Sequence, residues 1–86
     1  MNDAQKMLDN MFEAYKHTSN YKDSVMMEIM LNREKFEKNL DDMWRLIAVH
    51  GVSQMTEYNN GVRNIKNAGL KVLRNSAGKH KIAYKN

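Results

Sequence analysis

A long apolar stripe of helical period constrains the fold of this 86-residue chain more than any other feature. The stripe is interrupted only by Arg33, and its members are Met26, Ile29, Phe36, Leu40, Met43 and Ile47. Spacings of three, four and seven residues place side chains on one face of an α-helix. No proline breaks the stretch, and Gly51 follows it as a helix stop. The sequence therefore predicts one helix from residue 21 or 24 to His50.

Two shorter helices are expected on either side of the long one. The first covers residues 3–17, where apolar side chains of 3.6-residue period are Ala4, Met7, Leu8, Met11, Phe12 and Tyr15. The last covers residues 62 or 64 to 75, with Gly69 inside it. Residues 52–65 are ambiguous, because Asn59–Gly61 is a turn signal that favours a short hairpin, whereas a short helix at 53–58 competes with it. The predicted fold class is all-α, with three helices, a long central helix, and a small hairpin or turn before the last helix.

Length and composition limit the chain to one small domain. We expect a single helical domain over residues 1–78 and a basic C-terminal tail over residues 79–86. The size excludes a Rossmann unit or a barrel. The lack of cysteine excludes disulfides, cysteine-ligated zinc and iron–sulfur clusters.

The charges of the chain are divided unevenly along its length. Residues 1–57 hold all ten acidic groups and seven basic ones, for a net charge of −3. Residues 58–86 hold no acid and have a net charge of +7. An acid-free basic segment is typical of a polyanion-binding surface, although a solubilising tail has the same composition. The candidate nucleic-acid-binding residues are Arg63, Lys66, Lys71, Arg74, Lys79, Lys81 and Lys85.

The sequence holds little that indicates catalysis or metal binding. His17, His50 and His80 have no second histidine or carboxylate at a helical ligand spacing. The carboxylates of Asp41–Asp42 and of Glu34 and Glu37 lie off the apolar stripe, which predicts a solvated helix face. No serine lies in a nucleophile motif. We therefore expect no enzyme activity, no metal and no cofactor.

The long helix has more apolar surface than a short neighbour can cover. About 27 residues at 1.5 Å each give a rod of roughly 40 Å, whereas the first helix has only about 15 residues. Part of the stripe is thus expected to meet the last helix, a second copy of the chain or another protein. The candidate interface residues are Met26, Ile29, Met30, Phe36, Leu40, Met43, Trp44 and Ile47.

From Arg33 onward the order of features resembles the short phage terminase small subunits. A long helix ends at Gly51, a polar stretch with an aromatic follows at Thr56–Tyr58, and Asn60–Gly61 precedes a basic helix at Ile65–Lys71. The resemblance covers roughly the last 50 residues, and the chain lacks the proline that such proteins usually have before their last helix. It implies an oligomeric DNA-binding protein that recruits the large packaging motor.

The function expected from the sequence is non-catalytic nucleic-acid binding, with duplex DNA as the partner, in a phage or mobile element. The alternative is a small protein-interaction module, an inhibitor or adaptor that binds an acidic or apolar protein surface through its long helix. Homo-oligomers are compatible with both. No apolar run approaches the 18–20 residues that a membrane span needs, and no signal peptide is recognisable. We therefore expect a protein without membrane contact in the cytoplasm, that of a bacterial host if a phage encodes it.

Overall fold

The computed structural model describes residues 21–85 and, nearer the N-terminus, Lys6, Asp9, Asn10 and Glu13. Residues 21–85 form three helices and an antiparallel hairpin: α1 (Tyr21–Leu31), α2 (Arg33–His50), α3 (Val52–Asn67), β1 (Leu70–Arg74) and β2 (His80–Tyr84). The fold is mostly helical but carries a small two-stranded sheet. The all-α prediction is therefore only partly right.

Most of the first predicted helix, residues 3–17, lies outside the described residues. The four that are described, Lys6, Asp9, Asn10 and Glu13, are helical and exposed. All four belong to the polar face that the periodicity predicts. The apolar stripe of this segment lies outside the described part.

The long helix predicted up to His50 is broken at Asn32. The Asn32 backbone N–H is shared between the carbonyls of Glu28 and Ile29, at 3.2 and 3.1 Å. Its side-chain Nδ2 donates to the Glu28 carbonyl at 2.8 Å. Asparagine disfavours helix interiors because its amide competes in this way for backbone groups. The interruption of the stripe at Arg33 was not interpreted as a break, and the sequence predicted one continuous helix.

Gly51 ends α2 as expected, and α3 begins directly after it. Gly51 has a φ of 63°, and its N–H donates to the Ile47 carbonyl at 2.9 Å. The hairpin or turn predicted within residues 52–65 is wrong, because this stretch is helical throughout. The turn signal at Asn59–Gly61 is overridden by tertiary packing: Tyr58, Val62 and Ile65 face the core at helical spacing.

The last helix predicted up to residue 75 is also wrong in its position. Gly69 does not lie inside a helix but follows α3 with a φ of 92°, a conformation that glycine adopts easily. The chain then enters β1. The segment 79–86, predicted as a basic tail, contains β2, which pairs with β1 in the register Leu70↔Tyr84 to Arg74↔His80.

The hairpin lies over the α2–α3 pair, with β2 beside α2 and β1 beside α3. Alternate strand residues face opposite sides of a sheet. Leu70, Val72 and Ile82 face the helices, and Lys71, Leu73, Lys81 and Ala83 have the opposite parity. The buried core lies between the two layers and consists of Val25, Ile29, Phe36, Leu40, Met43, Ile65, Ala68, Leu70 and Ile82.

Candidate functional site

Two carboxylates on α2 bind the edge of β2. Glu37 Oε2 accepts the backbone N–H of Ile82 at 2.8 Å, and Asp41 Oδ1 accepts that of His80 at 2.7 Å. Four residues along a helix advance about 6.0 Å, and two residues along a strand advance about 6.6 Å. The two spacings match closely enough for successive helical turns to satisfy successive edge N–H groups. These carboxylates occupy the place of a third strand and protect the sheet edge.

Asp41 also begins a hydrogen-bonded chain through His80 to Tyr58. Asp41 Oδ1 lies 2.8 Å from His80 Nδ1, and His80 Nε2 lies 2.7 Å from the Tyr58 hydroxyl. With a carboxylate as the acceptor, Nδ1 carries the hydrogen and Nε2 accepts from Tyr58. The His80 side chain is completely buried. The chain thus connects α2, β2 and α3 through one imidazole ring.

Burial raises the pKa of Tyr58 above its usual value of 10.0, although the Arg74 guanidinium opposes this shift. The phenol is therefore a hydrogen-bond donor at neutral pH. A hydroxyl, an imidazole and a carboxylate in this order are also the groups of a nucleophilic triad. However, a raised pKa makes the phenol a poorer nucleophile, and the imidazole is closed to solvent. The geometry favours a structural role, in which Asp41, His80 and Tyr58 form a clamp that holds β2 against α2 and α3.

Trp44 supports the tip of the hairpin. The Arg74 guanidinium carbon lies 4.0 Å from the centre of the indole ring, a cation–π arrangement. The Tyr58 ring packs against the same indole with centroids 5.3 Å apart. A Cβ at Gly78, which has a φ of 83°, would lie only 2.7 Å from Trp44 Cδ1. Glycine at this position therefore permits both the turn and the close approach.

The turn itself is stabilised by Asn75. Its side-chain Oδ1 accepts the backbone N–H groups of Ala77 and Lys79, both at 3.0 Å. The Asn75 carbonyl also accepts the Gly78 N–H at 3.1 Å. These bonds fix the connection between the strands. They hold in place the outer face of the hairpin, which consists of Lys71, Leu73, Lys81 and Ala83.

An open groove of about 650 Å³ runs between α2 and β2. Its ionisable lining is mixed in sign: acidic Glu34, Glu37, Asp41 and Asp42, and basic Lys38, Arg45, Lys79 and Lys81. Asp42 pairs with Arg45, and Lys79 Nζ lies 3.8 Å from Asp41 Oδ2. Opposite charges balance within the groove, which makes it a poor site for a strongly charged ligand. In the part of the chain that the structure describes, no three histidine or acidic side chains cluster as metal ligands would.

The seven predicted nucleic-acid-binding residues divide into two groups. Two of them are held close to the clamp: Arg74 over Trp44, and Lys79 near Asp41. The other five lie elsewhere on α3 and the hairpin, namely Arg63, Lys66, Lys71, Lys81 and Lys85.

The second group is arranged around the hairpin. Lys71 and Lys81 share its outer face. Lys85 Nζ donates to the Lys66 carbonyl at 3.2 Å, which brings the end of β2 to the end of α3. Arg63 lies three residues before Lys66, on the same side of that helix.

The eight predicted interface residues lie mainly inside the chain. Ile29, Phe36, Leu40 and Met43 are buried in the core. The other four, Met26, Met30, Trp44 and Ile47, are half-buried. The hairpin and α3 cover the stripe that one short helix could not cover.

The sequence interpretation missed the roles of three residues of this site, Glu37, Asp41 and His80. Asp41 and Glu37, expected on a solvated face, bind the β2 edge, and Asp41 is 7% exposed. His80 finds its carboxylate 39 residues away, which no helical spacing reveals. One sequence pattern could have predicted the hairpin. Leu70 and Val72, and likewise His80 and Ile82, are two residues apart as on one face of a strand, and a turn rich in small polar residues lies between the two pairs.

Comparisons with family models, curated proteins and solved structures find no match for this chain. Across the residues that are described, none of the helices is at once long and apolar enough to cross a membrane.

Proposed function

We propose that this chain is a non-catalytic nucleic-acid-binding protein that contacts duplex DNA through the outer face of its β-hairpin. The observation that carries the proposal is the position of Lys71 and Lys81 on the solvent side of a two-stranded ribbon. Residues 58–86 contain no acid, and Lys71 lies outside the groove in which Lys81 faces the carboxylates of α2. The major groove of B-DNA admits a two-stranded ribbon of this kind.

Rigidity also supports this proposal. The clamp of Asp41, His80 and Tyr58 holds the inner side of the hairpin, and the Asn75 turn fixes its tip. Binding then requires little ordering of the ribbon, which lowers the entropic cost of association. Lysines on a preformed ribbon make a better defined phosphate-binding surface than lysines on a mobile tail.

The test is fluorescence anisotropy with a labelled 20-base-pair DNA duplex over a series of salt concentrations. Each phosphate contact contributes about −0.9 to the slope of log K against log salt. If the basic residues outside the clamp each neutralise one phosphate, the expected slope is about −4.5. They are Arg63, Lys66, Lys71, Lys81 and Lys85. Absence of binding by folded protein at low salt, or binding that does not change with salt, contradicts the proposal.

A double variant assigns the binding to the hairpin. Changing Lys71 and Lys81 to glutamine should make the slope less steep by about 1.8, since two phosphate contacts are lost. The matched control changes Lys22 and Lys35, which are exposed on α1 and α2. This control removes the same charge from the acid-containing part and should leave the slope unchanged. Equal effects of the two variants would indicate attraction by net charge alone.

The biological setting proposed is a phage or mobile element, with DNA packaging as the process. The resemblance to terminase small subunits supports this setting, but in the structure the Ile65–Lys71 segment is not one basic helix. It contains the end of α3 and the start of β1. In this proposal the protein acts in the cytoplasm of a bacterial host.

An exposed apolar corner favours a second function, that of a protein-interaction module. Where α2 meets α3, Val49 and Val52 are 74% and 81% exposed, and Leu46 and Met55 are exposed beside them. Clustered exposed apolar side chains are typical of association surfaces. Under this alternative, Val49→Ser with Val52→Ser abolishes partner binding or self-association, measured by pull-down and light scattering, whereas Lys71→Gln with Lys81→Gln does not.

A further inference from the structure

The outer face of the hairpin combines charge with exposed apolar surface. The register pairs Lys71 with Ala83 and Leu73 with Lys81. The two lysines therefore occupy one diagonal of this face, and the two apolar residues occupy the other. Leu73 is 52% exposed and lies outside the core cluster.

The position of Leu73 differs from that of the other strand residues with large aliphatic side chains. Leu70, Val72 and Ile82 point towards the helices and contribute to the core. Leu73 has the opposite parity and cannot reach the core without a shift of register. The Asn75 bonds in the turn that joins the two strands oppose such a shift. The ribbon thus presents an aliphatic side chain to whatever binds between its lysines.

We infer that Leu73 and Ala83 contact the C5-methyl groups of thymine on the floor of the major groove while Lys71 and Lys81 bind the flanking phosphates. This inference rests on the proposed function and specifies its ligand as thymine-containing duplex DNA. Charge complementarity selects the polyanion, since no acidic residue lies in the hairpin. Among base edges in the major groove, the thymine methyl is the one that apolar side chains contact.

Dimensions agree with this arrangement. Diagonal neighbours on one face of an antiparallel pair lie about 7–8 Å apart, within reach of long side chains. The major groove is about 12 Å wide, so the two lysines can point towards opposite walls while the ribbon enters between them. Leucine has a shorter side chain than lysine and stays closer to the surface of the ribbon.

The test compares two labelled 20-base-pair duplexes of identical mixed sequence, one with thymine and one with uracil at every thymine position. This substitution removes the methyl groups and keeps every hydrogen-bonding group of the base edges. Burial of one methyl group corresponds to about fourfold in affinity. We expect the full chain to bind the thymine duplex at least about fourfold more tightly, with the same salt slope for both.

The Leu73→Ser variant should lose most of the preference for thymine, since only the Ala83 contact is left, and should keep the wild-type salt slope because the lysines remain. The matched control is Leu31→Ser, which changes a leucine that is 76% exposed on α1 and should retain the preference. Equal binding of both duplexes by the wild-type chain overturns the inference and leaves the proposed function standing. A preference of wild-type size in Leu73→Ser overturns the role of Leu73. Failure to bind either duplex at low salt overturns the proposed function itself.

Discussion

Removal of the Asp41 carboxylate tests the clamp most sharply. One oxygen of this side chain accepts from both the backbone N–H and the ring Nδ1 of His80, at 2.7 and 2.8 Å. Both groups are buried. The neighbouring Asp42 provides the matched control, because it lies on the same helix, is half-exposed and pairs with Arg45 along the surface.

The expected cost follows from these contacts. A hydrogen bond to a charged group contributes about 1.5–3 kcal/mol, and a neutral one about 0.5–1.5 kcal/mol. Asp41→Ala removes two charged bonds and leaves two buried donors unpaired, which should lower the free energy of unfolding by about 3–5 kcal/mol. Asp41→Asn keeps an acceptor without its charge and should cost about 1–3 kcal/mol. Asp42→Ala should cost less than about 1 kcal/mol.

The assay is urea denaturation followed by far-UV circular dichroism, with amide hydrogen exchange at His80 and Ile82. The Asp41 variants should exchange faster at both amides than the Asp42 variant does, since the β2 edge loses its acceptor. If Asp41→Ala and Asp42→Ala destabilise the fold equally, within about 0.5 kcal/mol, the clamp contributes nothing and the reasoning is refuted.

Three further predictions concern the phenol, the turn and the basic face. Burial raises the pKa of Tyr58 above 10.0. The protonated phenol therefore contributes fully to stability below pH 10, and this contribution is lost as the pH rises through the pKa of Tyr58 in the folded protein. In urea titrations between pH 9 and 11, the wild-type protein should lose stability more steeply than Tyr58→Phe. Gly78→Ala should destabilise by about 2–4 kcal/mol through its clash with the indole and its positive φ. Gly51→Ala, whose added Cβ meets nothing within 4 Å, should cost only the backbone strain of about 1–2 kcal/mol. Equal melting temperatures of Gly78→Ala and Gly51→Ala would contradict the clash of a Cβ at position 78 with Trp44. Lys71→Gln with Lys81→Gln should leave the melting temperature unchanged within about 2 °C while it weakens DNA binding, because neither lysine contributes to the core.

The helical stretch from residue 21 to His50 could be predicted from the sequence because its apolar side chains recur over many turns. The stripe from Met26 to Ile47 indicates helix over a length at which strand is excluded, and Gly51 marks its end. The break at Asn32 depends on one side-chain amide that competes for the Glu28 carbonyl. The periodicity of the apolar residues does not reveal a break that one side chain causes.

The hairpin and the clamp could not be predicted in the same way. Each strand has five residues, so its alternation gives only two or three repeats, and Leu70–Arg74 fits a helical stripe about as well. The burial of Asp41 depends on His80, which lies 39 residues later in the chain and belongs to β2. The basic residues were identified from charge alone. The separation of Arg74 from Lys71 and Lys81 follows from strand parity, which requires the register.

The most direct test of the proposed interface is a titration of isotope-labelled protein with an unlabelled 20-base-pair duplex, followed by ¹H–¹⁵N NMR shifts. The largest changes should fall on the amides of Lys71, Leu73, Lys81 and Ala83, with small changes along α1. Shifts concentrated at Val49–Met55, or no shifts at low salt, would contradict DNA binding through the outer face of the hairpin.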